Sequence, residues 1–210
     1  CVLPIFNTIN EVAMKLMNYV MGSWTEGKGE GKPLIDASNG NTLAHASTEG
    51  LDFKEILNYA RTVGNPALRK LTFHARARCL KALALHLFEN KDKFYEISYQ
   101  TGATKVDSWI DIEGGIGNLF VMSSKGRREL PDTPFYVDGN AENLSKEGTF
   151  IGHHIYVPKE GCAIHINAFN FPIWGMLEKI AVNLLAGVPA VVKPATATSY
   201  LTEAIVKEII

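Results

Sequence analysis

Residues 163–194 read AIHINAFNFPIWGMLEKIAVNLLAGVPAVVKP, and the order of physical signals in this stretch decides the fold. Residues 149–168 alternate and are rich in β-branched and aromatic side chains, which suits two strands around a Pro158-Lys159-Glu160-Gly161 turn. Pro172 then opens an apolar helical run to about Leu185, and Gly187 stops it. Ala190-Val191-Val192 is a short buried strand, and from Thr198 the pattern is helical again. Strand, helix, strand, helix is the opening of a parallel α/β sheet. Asn167 and Asn170 stand inside this apolar run. An unpaired buried amide costs about 1–3 kcal/mol, so each needs a partner or a task.

Upstream, residues 17–49 are short apolar pieces broken by Gly, Asn and Ser, which predicts strands and turns. The period changes at Leu51. Asn65-Pro66 offers a cap with Pro in the first turn, and Leu68, Leu71, Cys79, Leu80, Leu83, Leu87 and Phe88 then form one face of a helix. A second helix is expected over Lys91 to Gln100, ended by Thr101-Gly102, and a third from about Asp107. Pro131 and Pro134 mark a loop.

Bulk composition narrows the function classes. A chain of 210 residues with 46% hydrophobic and 20% charged residues suits one ordinary globular domain. The net charge of −1 gives no field toward nucleic acid or an anionic membrane. No apolar run nears the roughly 20 residues of a spanning helix. The cysteines, Cys1, Cys79 and Cys162, are sparse and form no C-x-x-C pair, which points to a reducing, cytoplasmic compartment. The start at Cys and the helix pattern running out at Ile210 suggest a piece of a longer chain, with residues 1–16 read as a non-native extension.

Several local patterns imitate functional motifs. Gly22 to Lys28 fits G-x-x-x-x-G-K, but Gly29 replaces the magnesium-binding hydroxyl, and Gly31 and Pro33 break any following helix. Arg69, Lys70, Arg76, Arg78 and Lys81 read as a solvated helix face, with no aromatic platform for nucleic acid. Asp107, Asp111 and Glu113 lack His or Cys company, so no metal site is expected. His153 and His154 face opposite ways on a strand. Gly114-Gly115-Ile116-Gly117 follows a helical pattern, so it is no dinucleotide fingerprint.

One constellation remains. Ligands of open α/β sheets bind at the carboxyl ends of the strands. Asn167 to Asn170 lie at that end of the first strand, and Lys193-Pro194-Ala195-Thr196 at that end of the second. A lysine there can pair with an anionic or ribose group, and an amide can donate to a developing oxyanion. From the residues alone this is a nucleotide site with a candidate oxyanion donor.

These residues resemble the aldehyde dehydrogenase superfamily. Asn167-Ala-Phe-Asn-Phe-Pro172 and Leu184-Leu-Ala-Gly-Val-Pro-Ala-Val-Val-Lys-Pro-Ala-Thr196 are similar to its Pro-Trp-Asn-Phe-Pro and Gly-Asn-x-x-Val-x-Lys-Pro-x-Glu motifs. Thr101 to Gly117, Arg128 to Pro131, His165 to Pro172 and Gly175 to Lys179 resemble one branch, the bifunctional proteins of phenylacetate degradation. In that branch an aldehyde dehydrogenase domain precedes a MaoC-like hydratase domain that opens the oxepin-CoA ring. The likeness runs from about residue 17 to residue 210.

The resemblance implies an α/β fold, the N-terminal part of an aldehyde dehydrogenase. Helices precede a Rossmann-like parallel sheet begun by residues 161–210, and residues 145–160 protrude as β structure for homo-oligomerisation. It implies that the Asn170 amide holds the thiohemiacetal oxyanion. It implies that Ile166, Asn167, Ala168 and Phe169 line the cofactor, and that Lys193 holds the adenosine ribose.

Two departures from the family pattern carry weight. Thr196 stands where many members have Glu, which removes repulsion toward a 2′-phosphate and favours NADP over NAD. The family's cysteine nucleophile and glutamate base fall beyond residue 210; neither Cys79 nor Cys162 matches the nucleophile, so the chain alone is expected to be inactive. The expected parent reaction is NADP-dependent oxidation of a CoA-linked semialdehyde in phenylacetate catabolism. The alternatives are a dehydrogenase of another aromatic pathway, such as benzoyl-CoA breakdown, or a non-catalytic nucleotide-binding or oligomerisation module.

Overall fold

A computed structural model describes residues 14–210. Most of the segment read as an extension therefore lies outside the described residues, although Leu16 at its end is buried in the core. The glycine-broken pieces that follow form antiparallel hairpins. β1 (Met17–Val20) pairs with β2 (Ser23–Glu26), and β3 (Lys32–Ile35) with β4 (Thr42–Ala46). Met21 and Gly22 join the first pair with φ of 51° and 81°, the left-handed pair that a two-residue hairpin loop demands. Gly22 is thus a hairpin glycine. Gly27 is pressed against the Ser47 backbone, and no phosphate loop exists here.

The helical part runs α1 (Phe53–Tyr59), a π turn over residues 60–64, α2 (Asn65–Arg69), α3 (Phe73–Glu89), α4 (Asp92–Tyr99) and α5 (Lys105–Arg128). The single helix expected after Asn65-Pro66 is in fact divided. Thr72 caps α3, its hydroxyl accepting from the Ala75 N–H at 3.1 Å. Asn65 is no cap: its buried amide donates to the carbonyls of Lys159 and Gly187 and accepts from the Gly161 N–H. Those partners lie more than ninety residues away, so a local capping pattern could not show them.

Arg76 also corrects the sequence reading. It is 1% exposed rather than solvated, with its guanidinium 4.6 Å from the Phe73 ring centre. It stands four residues before Leu80 and eight before Ala84, on the helix face that packs inward. Burial lowers its pKa. Arg69 pairs with Glu160 instead of facing solvent alone.

α5 begins with a capping box between Thr104 and Asp107 and buries Ile112, Ile116 and Leu119 alongside the small residues Ser108, Gly115 and Gly126. It packs between α3 on one side and α6 (Pro172–Leu185) on the other. Its glycines permit that approach. A Cβ at Gly126 would lie 2.5 Å from Leu185 Cδ1 and 2.9 Å from Ala77 Cβ, while Gly114 lies against the Trp174 ring.

β5 (Tyr136–Asn143) and β6 (Ile151–Tyr156) form a separate hairpin with Phe150, Ile151, Ile155, Tyr156 and Val157 exposed. β5 goes beyond the strands expected from the sequence, because its Asp, Gly and Asn residues weaken the strand signal. β7 (Ala163–Ile166) and β8 (Ala190–Lys193) pair in parallel, with α6 between them in sequence and α7 (Ser199–Ile209) after them. Strand, helix, strand, helix stands as expected. No described helix is long and apolar enough to cross a membrane.

Candidate active site

The parallel register sets Ile166 opposite Lys193, and the Asn167 N–H donates to the Lys193 carbonyl at 3.1 Å. The chain segments after β7 and β8 therefore leave the sheet side by side. Asn167, Ala168, Phe169 and Asn170 occupy the first exit; Lys193, Pro194 and Thr196 occupy the second. Thr198 links them, its hydroxyl donating to the Phe169 carbonyl at 3.0 Å. Thr198 is buried, and the sequence reading treated it only as a helix start.

The two asparagines separate by burial. Asn167 is 6% exposed, and neither end of its side-chain amide has a partner among the described residues. Its N–H extends the ladder, so a backbone contact from Asn167 to a cofactor falls to its carbonyl. Asn170 is exposed, one residue before the turn at Phe171 that leads into α6. Ile166, Ala168 and Phe169 are exposed beside it, as are Lys193 and Thr196. Among the described residues the Lys193 ammonium reaches only its neighbour's carbonyl, that of Pro194, at 3.1 Å.

The start of α6 is held by a residue that sequence reasoning missed. Asp111 on α5 accepts from the Trp174 N–H at 2.7 Å and from the Ile173 N–H at 3.3 Å. Burial pushes its carboxyl up and the two N–H donors pull it down, leaving it at about 6. Its only sequence signal is an acid in the second turn of a helix, one position before Ile112. Asp107, by contrast, is the local cap of its own helix, and its bonds from Thr104 lower its pKa.

Beneath the strand, burial and then the nearby Lys179 ammonium lower the His165 pKa. Neutral His165 accepts through Nε2 from the Asn183 amide at 3.1 Å. A shallow cleft of about 630 Å³ opens there, between Asn118, His165, Glu178, Lys179 and Asn183. Trp174 Nε1 donates to Glu178 at 2.9 Å, fixing one wall. Cys162 is half-buried before β7, at the opposite end of the strand from Asn170, and Cys79 is exposed on α3. Among the described residues no cluster of His, Cys, Asp and Glu could hold a metal ion.

Residues 24–210 match the aldehyde dehydrogenase family. The chain belongs to that family. Within the aldehyde dehydrogenases, the chain is 41% identical over 200 residues to a 3,4-dehydroadipyl-CoA semialdehyde dehydrogenase of Aromatoleum evansii, covering 94% of this chain and 38% of that protein. It is 26% identical over 187 residues to a non-phosphorylating aspartate-semialdehyde dehydrogenase of Halomonas elongata, covering 87% and 35%. The chain thus spans little more than a third of either relative. Among solved aldehyde dehydrogenase-fold structures, it superposes on 3,6-anhydro-L-galactose dehydrogenase in complex with NAP with a TM-score of 0.78, at 22% identity over 93% of this chain and 39% of that one. A putative aldehyde dehydrogenase from Burkholderia cenocepacia gives 0.77 at 18% identity, over 94% and 38%. At these identities the superpositions show the fold.

Proposed function

We propose that this chain supplies the oxyanion donor and part of the cofactor cradle of an NADP-dependent dehydrogenase. The whole enzyme oxidises a CoA-linked semialdehyde to its carboxylic acid in phenylacetate-type catabolism. The observation that carries this reading is the meeting of Asn170 with Lys193 and Thr196 at one sheet edge, tied together by the Asn167–Lys193 and Thr198–Phe169 hydrogen bonds.

The residues present fit a phosphorylated dinucleotide. Lys193 offers an exposed ammonium, Thr196 offers a hydroxyl with no competing negative charge, and the orphaned Asn167 amide lies at the same edge. When bound, the cofactor accepts hydride. Lys193 pairs with phosphate or ribose oxygen, and the exposed backbone of Ile166 to Phe169 lines the approach. Asn170 donates through Nδ2 to the oxygen that gains negative charge as a thiolate from elsewhere in the enzyme adds to the aldehyde. An amide suits this task because it stays neutral and donates at any working pH. The exposed apolar residues of β6 and its flanks support subunit contact through residues 145–160 in a homo-oligomer. The sparse cysteines fit a cytoplasmic setting.

The test is kinetic. In the whole enzyme, Asn170→Ala should lower kcat by about 10²- to 10³-fold, the usual loss for one oxyanion donor. NADP should give a higher kcat/KM than NAD. Unchanged kcat in the variant, or equal values for the two cofactors, would overturn the corresponding part. A second reading of the substrate is favoured by the 41% identity to the Aromatoleum evansii protein. On that reading the semialdehyde belongs to another aromatic route, such as benzoyl-CoA breakdown. Comparing kcat/KM for 3,4-dehydroadipyl-CoA semialdehyde and 3-oxo-5,6-dehydrosuberyl-CoA semialdehyde decides between them.

A further inference from the structure

We propose that Asp111 is a positioning residue for Asn170: from α5 it caps the start of α6 in place of a local cap and so sets where the Asn170 amide stands. This rests on the role given to Asn170 above. The α6 start has no cap of its own. Phe171, at the cap position, carries no side-chain acceptor, and Pro172 has no N–H. The next two donors, Ile173 N–H and Trp174 N–H, both point to the Asp111 carboxylate. Asp111 is 3% exposed, so in the folded chain bulk water does not compete with it for these two N–H groups.

The approach of the two helices is built around this contact. A Cβ on Gly115 would lie 3.0 Å from Trp174 Cα and 3.1 Å from Trp174 N, and Gly114 lies under the Trp174 ring. Any larger residue there would push the start of α6 away from the carboxylate. On the other side, the Thr198 hydroxyl holds the Phe169 carbonyl. Asn170 thus stands one residue after one fixed point and three residues before the other. Only Phe171 and Pro172 separate it from the Asp111 clamp, and the proline ring locks one of their φ angles. A short tether between two anchors transmits a shift of α6 to the Asn170 amide with little slack. An error of about 1 Å in a reacting group can cost on the order of 10²-fold in rate.

The experiment is a double-mutant cycle in the whole enzyme. Asp111→Ala should lower kcat by about tenfold or more, while the dissociation constant for NADP stays within about twofold, because Lys193 and Thr196 stand on the β8 side of the edge. Asp111→Asn keeps one acceptor and should restore part of the loss; it also serves if the alanine variant fails to fold. In an Asn170→Ala background, either Asp111 substitution should cost less than about twofold in kcat, since the donor it positions is already gone. Additive losses in the cycle would overturn the proposal, as would parallel weakening of NADP binding. Asn170→Ala without effect would overturn the oxyanion reading itself; a full loss in Asn170→Ala with none in Asp111→Asn or Asp111→Ala would overturn only the positioning role.

Discussion

Asp111 also makes a prediction about stability that needs no substrate. Burial raises its carboxyl from an ordinary 3.8 to about 6, and no charged neighbour contributes to the shift. Between those two values the folded chain holds a proton that the unfolded chain has released. Stability from this group therefore falls as pH rises through the window, opposite in sign to a salt-bridged carboxylate. Linkage with these two values makes its contribution larger at pH 5 than at pH 7, by on the order of 1 kcal/mol. His165, whose pKa is lowered, slopes the other way between pH 5 and pH 7 and offsets part of the raw profile, whereas the lowered carboxyls of Asp36, Asp107, Glu113 and Glu208 act below that range. The difference between wild type and Asp111→Asn isolates it, because Asn does not titrate. Urea denaturation of this chain at the two pH values should show the substitution costing more at pH 5 than at pH 7, by on the order of 1 kcal/mol. An equal cost at both, or a larger one at pH 7, would refute the assignment of a buried carboxyl held by two backbone N–H groups.

Further outcomes follow from the glycines of α5 and from the cofactor edge. Gly126→Ala should lose about 1–3 kcal/mol by overpacking against Leu185 and Ala77, although alanine is the better helix former. Gly117→Ala should gain about 0.5–1 kcal/mol, since a Cβ there meets nothing within 4 Å. Thermal melts of the two variants should therefore move in opposite directions, and a shared direction would contradict the packing. Thr196→Glu in the whole enzyme should shift the ratio of kcat/KM for NADP over NAD downward by about tenfold, a like-charge penalty on the order of 1.4 kcal/mol; an unmoved ratio would remove residue 196 from cofactor selection.

Local signals sufficed for much of this protein. Pro172, Gly187 and the apolar run Ala190 to Val192 mark out β7, α6, β8 and α7 without any long-range information, because each element begins or ends on a residue with a fixed backbone preference. That sequence also determined that Asn170 and Lys193 would share one edge, since parallel strands joined by a helix must present their carboxyl ends together. Other roles were set only by the tertiary structure. Asn65 looks like a helix cap until Lys159, Gly161 and Gly187 come within reach of its amide. Arg76 looks like a surface charge until the helix face it shares with Leu80 is packed inward. Asp111 looks like a surplus acid, yet it completes a helix that begins more than sixty residues later. In each case a side-chain hydrogen bond or burial acts between segments far apart in the chain, and spacing along the sequence carries no trace of which segments will meet.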